Sequence, residues 1–146
     1  MMPRSISSNH SGFSLIELMI TIAIIAILTL IATPLYTHYV KKSHRAEATA
    51  ELSAIALAQE NYKLKNGHYS DSLSTLWQAS SENGYYNLSM SLLNDAGGVS
   101  SDAETATGFK ITADPTDSQA DDSECDPIEL TFNNAIVDKI PKDCWR

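Results

Sequence analysis

Cysteine is scarce in this chain of 146 residues. There are two, Cys125 and Cys144, too few for a zinc ribbon or a four-cysteine cluster and enough for one disulfide. Positive charge is scarce as well. Ten Lys and Arg stand against 18 Asp and Glu, and the net charge of −8 argues against nonspecific, phosphate-driven binding to nucleic acid as the main activity. Charged residues make up 19% of the chain and hydrophobic ones 43%, which excludes both a disordered polyampholyte and a multi-span membrane protein. The usual marks of an enzyme are missing. His10, His38, His44 and His68 show no His-x-x-x-His zinc spacing, and neither a Gly-x-Ser-x-Gly elbow nor a phosphate-cradling glycine loop occurs. Asp117, Asp121, Asp122 and Glu124 miss the EF-hand spacing and its central glycine, so they read as a solvated acidic loop. No catalysis, cofactor or metal is expected.

What is present is distributed unevenly. Residues 1–45 carry four basic side chains and one acid, whereas residues 47–146 carry six basic side chains and 17 acids, a split of +3 against −11. The two parts therefore face different surroundings. Leu18 to Leu35 is apolar apart from Thr21, Thr29, Thr33 and Pro34, close to the ~20 residues that cross a ~30 Å hydrocarbon core as a helix. A secretory signal peptide has a shorter apolar core, and Tyr36 to Lys41 offers no small-x-small cleavage site. Lys41, Lys42, His44 and Arg45 follow as a basic cluster, read as a juxtamembrane charge belt, the alternative being contact with lipid phosphates or DNA.

Glu17 stands among Leu15, Ile16, Leu18 and Met19. An ionised carboxylate at the bilayer centre costs roughly 2.5 to 3.5 kcal/mol, less near the end of a span, and it needs either the headgroups or a partner charge. A cut between Gly12 and Phe13 would make Glu17 the fifth residue and release an α-amine as counter-ion. The run Gly12, Phe13, Ser14, Leu15, Ile16, Glu17, Leu18, Met19, Ile20, followed by an uninterrupted span and Pro34, resembles the processing site of type IV prepilins. The resemblance implies a leader, residues 1–12, removed by a prepilin peptidase that also methylates Phe13. It implies that Glu17 registers incoming subunits during assembly. The leader departs from the family's pattern in that Asn9, His10 and Ser11 precede the glycine, with Arg4 as its one full-time cation.

Helical character continues beyond the span. Arg45 to Lys65 has neither Pro nor Gly, and Leu52, Ile55, Gln59 and Tyr62, with Ala48 and Ala56 adjoining, mark one face at spacings of three and four. Asn66 and Gly67 end the helix, which from Phe13 would reach about 80 Å. Pro34 removes an N–H and clashes with the carbonyl of Leu30, so a helix kink is expected there. His68 to Trp77 reads as a short capped helix in a connecting loop, and Asn66 to Tyr69 again looks pilin-like.

Alternation then predicts strands. They are Tyr86, Leu88, Met90 and Leu92; then Phe109, Ile111 and Ala113; then Ile128, Leu130 and Phe132; and, after an Asn133–Asn134 turn, Ile136 with Val137. The expected fold is α+β and type IV pilin-like: a long N-terminal helix whose amphipathic half packs on a three- to four-stranded antiparallel sheet. Cys125 and Cys144 enclose the last hairpin. In an oxidising periplasm a bridge there would contribute roughly 3 kcal/mol, the alternative being two free thiols. A bridged C-terminal loop resembles the disulfide-bound region of type IV pilins.

These expectations assemble into three segments: leader 1–12, transmembrane and assembly helix 13–35, and exported head 36–146. The resemblance implies a structural pilus subunit, resident in the inner membrane before it polymerises into a surface fibre for adhesion, twitching motility or DNA uptake. Its implied partners are other pilin subunits, the prepilin peptidase, and an assembly platform with its ATPase. Two rivals share parts of the pattern: a pseudopilin of a type II secretion system, and a single-span anchor displaying a binding domain.

Overall fold

The computed structural model describes residues 12–145; the predicted leader, Gly12 apart, lies outside them. The chain divides between His38 and Tyr39 into two compact units. One helix, α1 (Leu15–Asn66), runs through both.

In the first unit α1 is long and apolar enough to cross a membrane, and none of its most apolar stretch is buried. The three threonines that interrupt the apolar sequence, and Thr37 just beyond it, satisfy their hydroxyls inside the helix. Thr21 donates to the carbonyl of Leu18 at 2.8 Å, Thr29 to Ile25, Thr33 to Thr29 at 2.8 Å, and Thr37 to Pro34 at 3.0 Å. Back-bonding of this kind hides polar groups that lipid cannot solvate. The helix continues through Pro34, whose missing N–H leaves the Leu30 carbonyl without its usual donor.

In the second unit the buried face of α1 is Ala48, Leu52, Ile55 and Gln59, the three-and-four stripe expected from spacing. Tyr62, at the margin of that stripe, is half-buried. Gly67, at φ +86°, takes the left-handed position that ends the helix, and its N–H donates to the Lys63 carbonyl at 2.8 Å. Gln59 then pins the outgoing chain: its Nε2 donates to the Ser70 carbonyl at 2.8 Å, and its Oε1 accepts from the Ser70 N–H at 2.9 Å. The connecting loop contains one 3-10 turn, Leu73–Thr75.

The strands are β1 (Tyr86–Leu93), β2 (Val99–Ser100), β3 (Gly108–Pro115), β4 (Ile128–Asn133) and β5 (Ile136–Ile140). They form one antiparallel sheet in the order β2-β1-β3-β4-β5. The sheet therefore has one strand more than the four that alternation predicts. The addition, β2, is two residues long, below the length at which a period of two can be read. Side chains line up across the sheet in rows, Leu92–Phe109–Phe132–Val137 and Met90–Ile111–Leu130–Lys139. The core gathers Ala48, Leu52 and Ile55 of α1 with Tyr69, Tyr86, Leu88, Phe109, Ile111 and Ile128. Cys125 and Cys144 are joined in a disulfide that ties the turn before β4 to the C-terminal turn Lys142–Trp145.

Candidate functional site

The predicted assembly residues lie at the start of α1. Phe13 is 77% exposed. Ser14 precedes the first helical residue, and its Oγ accepts the backbone N–H of Glu17 at 3.2 Å, satisfying one of the four donors that a helix start leaves open. Ser14 and Glu17 thus have the spacing of a capping box, and Glu17 is the acid of the first turn, where the helix dipole favours negative charge. This local role of Glu17 is legible in the Ser-x-x-Glu pattern, but the apolar setting draws attention to the charge instead. Gly12 and Phe13 are adjacent and exposed. Pro34 lies one helical half away and shares no site with them.

Around these residues the surface is apolar and uncovered: Leu15, Ile16, Leu18, Met19, Ile20, Ile22, Ile24 and Ile25 are all more than half exposed. An exposed apolar surface of this length requires lipid or other helices.

The second constellation joins the basic cluster to the acidic loop. Arg45 Nε donates to Asp122 Oδ2 at 2.6 Å and Arg45 Nη2 donates to Oδ1, while the same Nη2 reaches Glu124 Oε2 at 3.1 Å. Lys41 Nζ donates to the Asp121 carbonyl at 3.0 Å. Gln119 Nε2 donates to Asp122 at 2.7 Å, which turns its Oε1 toward His44 Nδ1 at 3.0 Å, so that His44 is the donor of that pair. The His44 ring also stacks on Tyr85 with centroids 3.6 Å apart. Asp117, Asp121 and Glu124 of the acidic loop are exposed, as expected of a solvated loop, but Asp122 is 3% exposed and forms the anionic wall of a seam against α1. Arg45 is likewise no free element of a charge belt. The hydrogen bonds from Arg45 hold the Asp122 carboxyl below its ordinary range, and the same pair raises the Arg45 guanidinium.

Two glutamates of α1 hold the loop before β1. Glu51 accepts the Glu82 N–H at 2.7 Å and the Trp77 indole N–H at 3.3 Å; Glu47 accepts the Asn83 N–H at 3.1 Å and its Nδ2 at 2.7 Å. For Glu47 burial opposes ionisation, but the hydrogen bonds from Asn83 outweigh it and the carboxyl is lowered overall. Among the described residues no group of three or more His, Cys, Asp or Glu could hold a metal ion.

Two family models match this chain. One, described as "Type IV minor pilin ComP, DNA uptake sequence receptor", covers residues 34–129, more than half of the sequence; the other, a prokaryotic N-terminal methylation motif, covers residues 7–33. Relatives include the type IV major pilin protein PilA of Myxococcus xanthus, 42% identical over 62 residues, which are 42% of this chain and 28% of that protein. The type IV major alpha-pilin of Moraxella bovis is 56% identical over 45 residues, 31% of this chain and 28% of that one. The type IV wide pilus major component PilA4 of Thermus thermophilus is 38% identical over 68 residues, 47% of this chain and 52% of that one. The matched stretches thus span between about a quarter and half of these relatives.

Proposed function

The chain belongs to the family of the type IV minor pilin ComP and is a pilus structural subunit, and from that premise we propose how it is made and used. A prepilin peptidase cuts between Gly12 and Phe13 and methylates the new terminus. The subunit waits in the inner membrane with residues 13–35 as its span. An assembly platform and its ATPase then move it into a fibre, where apolar helices exchange lipid contact for contact with one another. Glu17 compensates the terminal amine of a neighbouring subunit. The mechanism is assembly and not catalysis. The observation that carries this reading is the run of exposed Ile, Leu and Met that begins one turn after an exposed Gly12–Phe13 bond.

Mass spectrometry of the membrane-extracted protein tests it. A chain beginning at N-methylated Phe13 is expected; an intact Met1, or a cut after Leu35, defeats the proposal. The cystine favours a pilus over a type II secretion pseudopilus, and loss of surface fibres against loss of protein secretion in a deletion strain separates the two.

DNA uptake is a second reading of the fibre's role, favoured by the description of the matching family. The −11 balance of residues 47–146 and the pairing of Arg45 leave few cations to meet phosphates, exposed Lys65 and Lys142 among them. Full-length protein in detergent is expected to retard a duplex carrying an uptake sequence more than a scrambled duplex. Equal retardation argues against a receptor role.

A further inference from the structure

Where the last turns of α1 meet the turn between β4 and β5, the head carries an open cleft of about 670 Å³ that none of the roles above uses. Its size falls within the roughly 300–1,000 Å³ of sites for small molecules. Phe132 forms the floor. Its ring stacks on Phe109, with centroids 5.5 Å apart and planes 16° from parallel, which occupies one face; the exposed remainder of this half-buried ring lines the cleft. Leu64, 84% exposed, and Ala135 make the rim apolar. Three polar groups open onto it. Lys63 Nζ lies 4.1 Å from the centre of the buried Tyr69 ring and has no carboxylate partner among the described residues. Glu60 commits Oε1 to the Tyr69 hydroxyl at 3.0 Å, and its Oε2 has no partner among the described residues. Asn134 donates its Nδ2 to Asp95 Oδ1 at 3.0 Å, which leaves its own Oδ1 as an acceptor.

Ala135 stands out in its own right. The turn places Asn134 at φ +50° and Ala135 at φ +62°, both in the left-handed region. Asparagine tolerates that conformation, but the second position of such a hairpin turn is ordinarily glycine, because a Cβ is strained there. Ala135 is exposed, so its methyl group buries nothing within the head that would offset the strain. What the methyl does face is the cleft.

We propose that this cleft is a binding site for a neutral saccharide, with the C–H face of a pyranose ring on Phe132 and its hydroxyls donating to Glu60 Oε2 and Asn134 Oδ1 and accepting from Lys63 Nζ. The charge balance selects this class of ligand. Among the described residues, Glu60 and Lys63 are the ionic side chains that line the cleft, and their charges cancel. A phosphate or carboxylate would meet Glu60, an ammonium would meet Lys63, and a fatty chain would strand both groups without partners. A sugar hydroxyl both donates and accepts, so one ring serves the carboxylate and the ammonium together. The hydrogens on a pyranose face carry slight positive charge and suit the negative face of an aromatic ring. The methyl of Ala135 and the side chain of Leu64 then enclose the edge of the sugar. This site depends neither on polymerisation nor on DNA uptake.

The test is a titration of the full-length protein in dodecylphosphocholine, a detergent whose headgroup is not a sugar, with cellobiose, lactose and N,N′-diacetylchitobiose, followed by amide chemical shifts in NMR. At least one disaccharide is expected to move the amides of Lys63, Asn134 and Ala135, with an affinity that added salt leaves unchanged, because no net charge is neutralised. Lys63→Met keeps the stem and removes the donor, and it is expected to weaken binding about tenfold. Ala135→Gly relaxes the turn and removes the methyl group, so it should raise the denaturant midpoint while weakening binding about threefold, a combination that damage to the fold does not produce. The site is overturned if none of the disaccharides moves these amides, or if both variants bind with wild-type affinity. It is overturned equally if a DNA duplex moves these amides and the disaccharides do not, since the cleft then belongs to nucleic acid.

Discussion

Arg45 and Asp122, 77 positions apart in sequence, meet as a two-pronged pair, Nε donating to Oδ2 at 2.6 Å and Nη2 to Oδ1. Both side chains are largely withdrawn from water, at 14% and 3% exposure. The pair fixes the loop that leads into Cys125 against α1, so the disulfide-bound C-terminal region is anchored to the helix by charge as well as by packing. Removing the acid strands a guanidinium in a site with little water. Asp122→Ala is therefore expected to destabilise the head by about 3 kcal/mol, whereas Glu124→Ala, which removes a carboxylate that is 79% exposed, should cost less than about 1 kcal/mol. Denaturant midpoints of the full chain in detergent read the difference.

The same seam sets the response to pH. Asp122 and Glu47 have carboxyls held below their ordinary values, so the stability they contribute is present above the unfolded carboxylate range and is lost as pH falls through the depressed folded values. Asp114 acts in the opposite sense: burial, aided by repulsion from Asp126 and Glu129, raises it, and its unfavourable contribution is relieved as it protonates. Two groups against one predict a head that keeps its stability down to about pH 4 and loses it below. In Asp122→Asn the acid limb should be shallower. On the alkaline side Tyr86, pushed up to about 12 by burial, contributes stability that is lost as pH rises from the ordinary phenol value of about 10 through the raised one. Its phenolate absorbance, assigned by difference with Tyr86→Phe, should appear only near that upper value.

How far the sequence reveals this molecule depends on the distance over which each feature is encoded. The buried stripe Ala48, Leu52, Ile55 and Gln59 repeats at three and four residues, and the long strands repeat at two; both are local and both are found where those periods place them. Strand β2 escapes because two residues after Gly97 and Gly98 carry no period. The seam escapes for another reason. Lys41 to Arg45 and Asp117 to Glu124 each look like a solvated run when read alone, and only the fold brings them together. Their opposite charges in otherwise apolar or polar neighbourhoods were the available signal. Gln59 is similar: a polar residue on a core stripe predicts a buried partner without naming it, and Ser70 supplies it.

Loss of the bridge between Cys125 and Cys144 should be felt as loss of constraint on the unfolded chain. The two sulfurs close a loop of 19 positions around β4 and β5, and chain entropy over a loop of that size corresponds to about 3 kcal/mol. Cys125 is fully buried and Cys144 is 6% exposed, so Cys144→Ser also leaves a thiol and a hydroxyl in an apolar place. Cys144→Ser is expected to lower the denaturant midpoint of the full chain by the equivalent of about 3 kcal/mol. A midpoint equal to that of the unmodified protein would mean that β4 and β5 are held by their ladder alone.

Glu17 has two separable roles, and one substitution distinguishes them. As the third residue of a helix whose Ser14 Oγ accepts its backbone N–H, it stands at the acidic position of a capping-box pattern, which glutamine fills almost as well as glutamate. As the counter-ion of a neighbour's terminal amine it must be charged, and glutamine cannot replace it. Glu17→Gln keeps the helix start and removes the charge, while Glu17→Ala removes both. If assembly depends on the charge, Glu17→Gln accumulates in the membrane at the normal level but is depleted from sheared fibres about tenfold, the equivalent of 1.4 kcal/mol, as Glu17→Ala is. If Glu17→Gln enters fibres normally and Glu17→Ala does not, the carboxylate serves its own helix and the amine of a neighbour is neutralised elsewhere. Quantitative immunoblots of membrane and sheared-fibre fractions decide between these outcomes, because membrane level reports folding and insertion whereas the fibre fraction reports the step in which one subunit meets another.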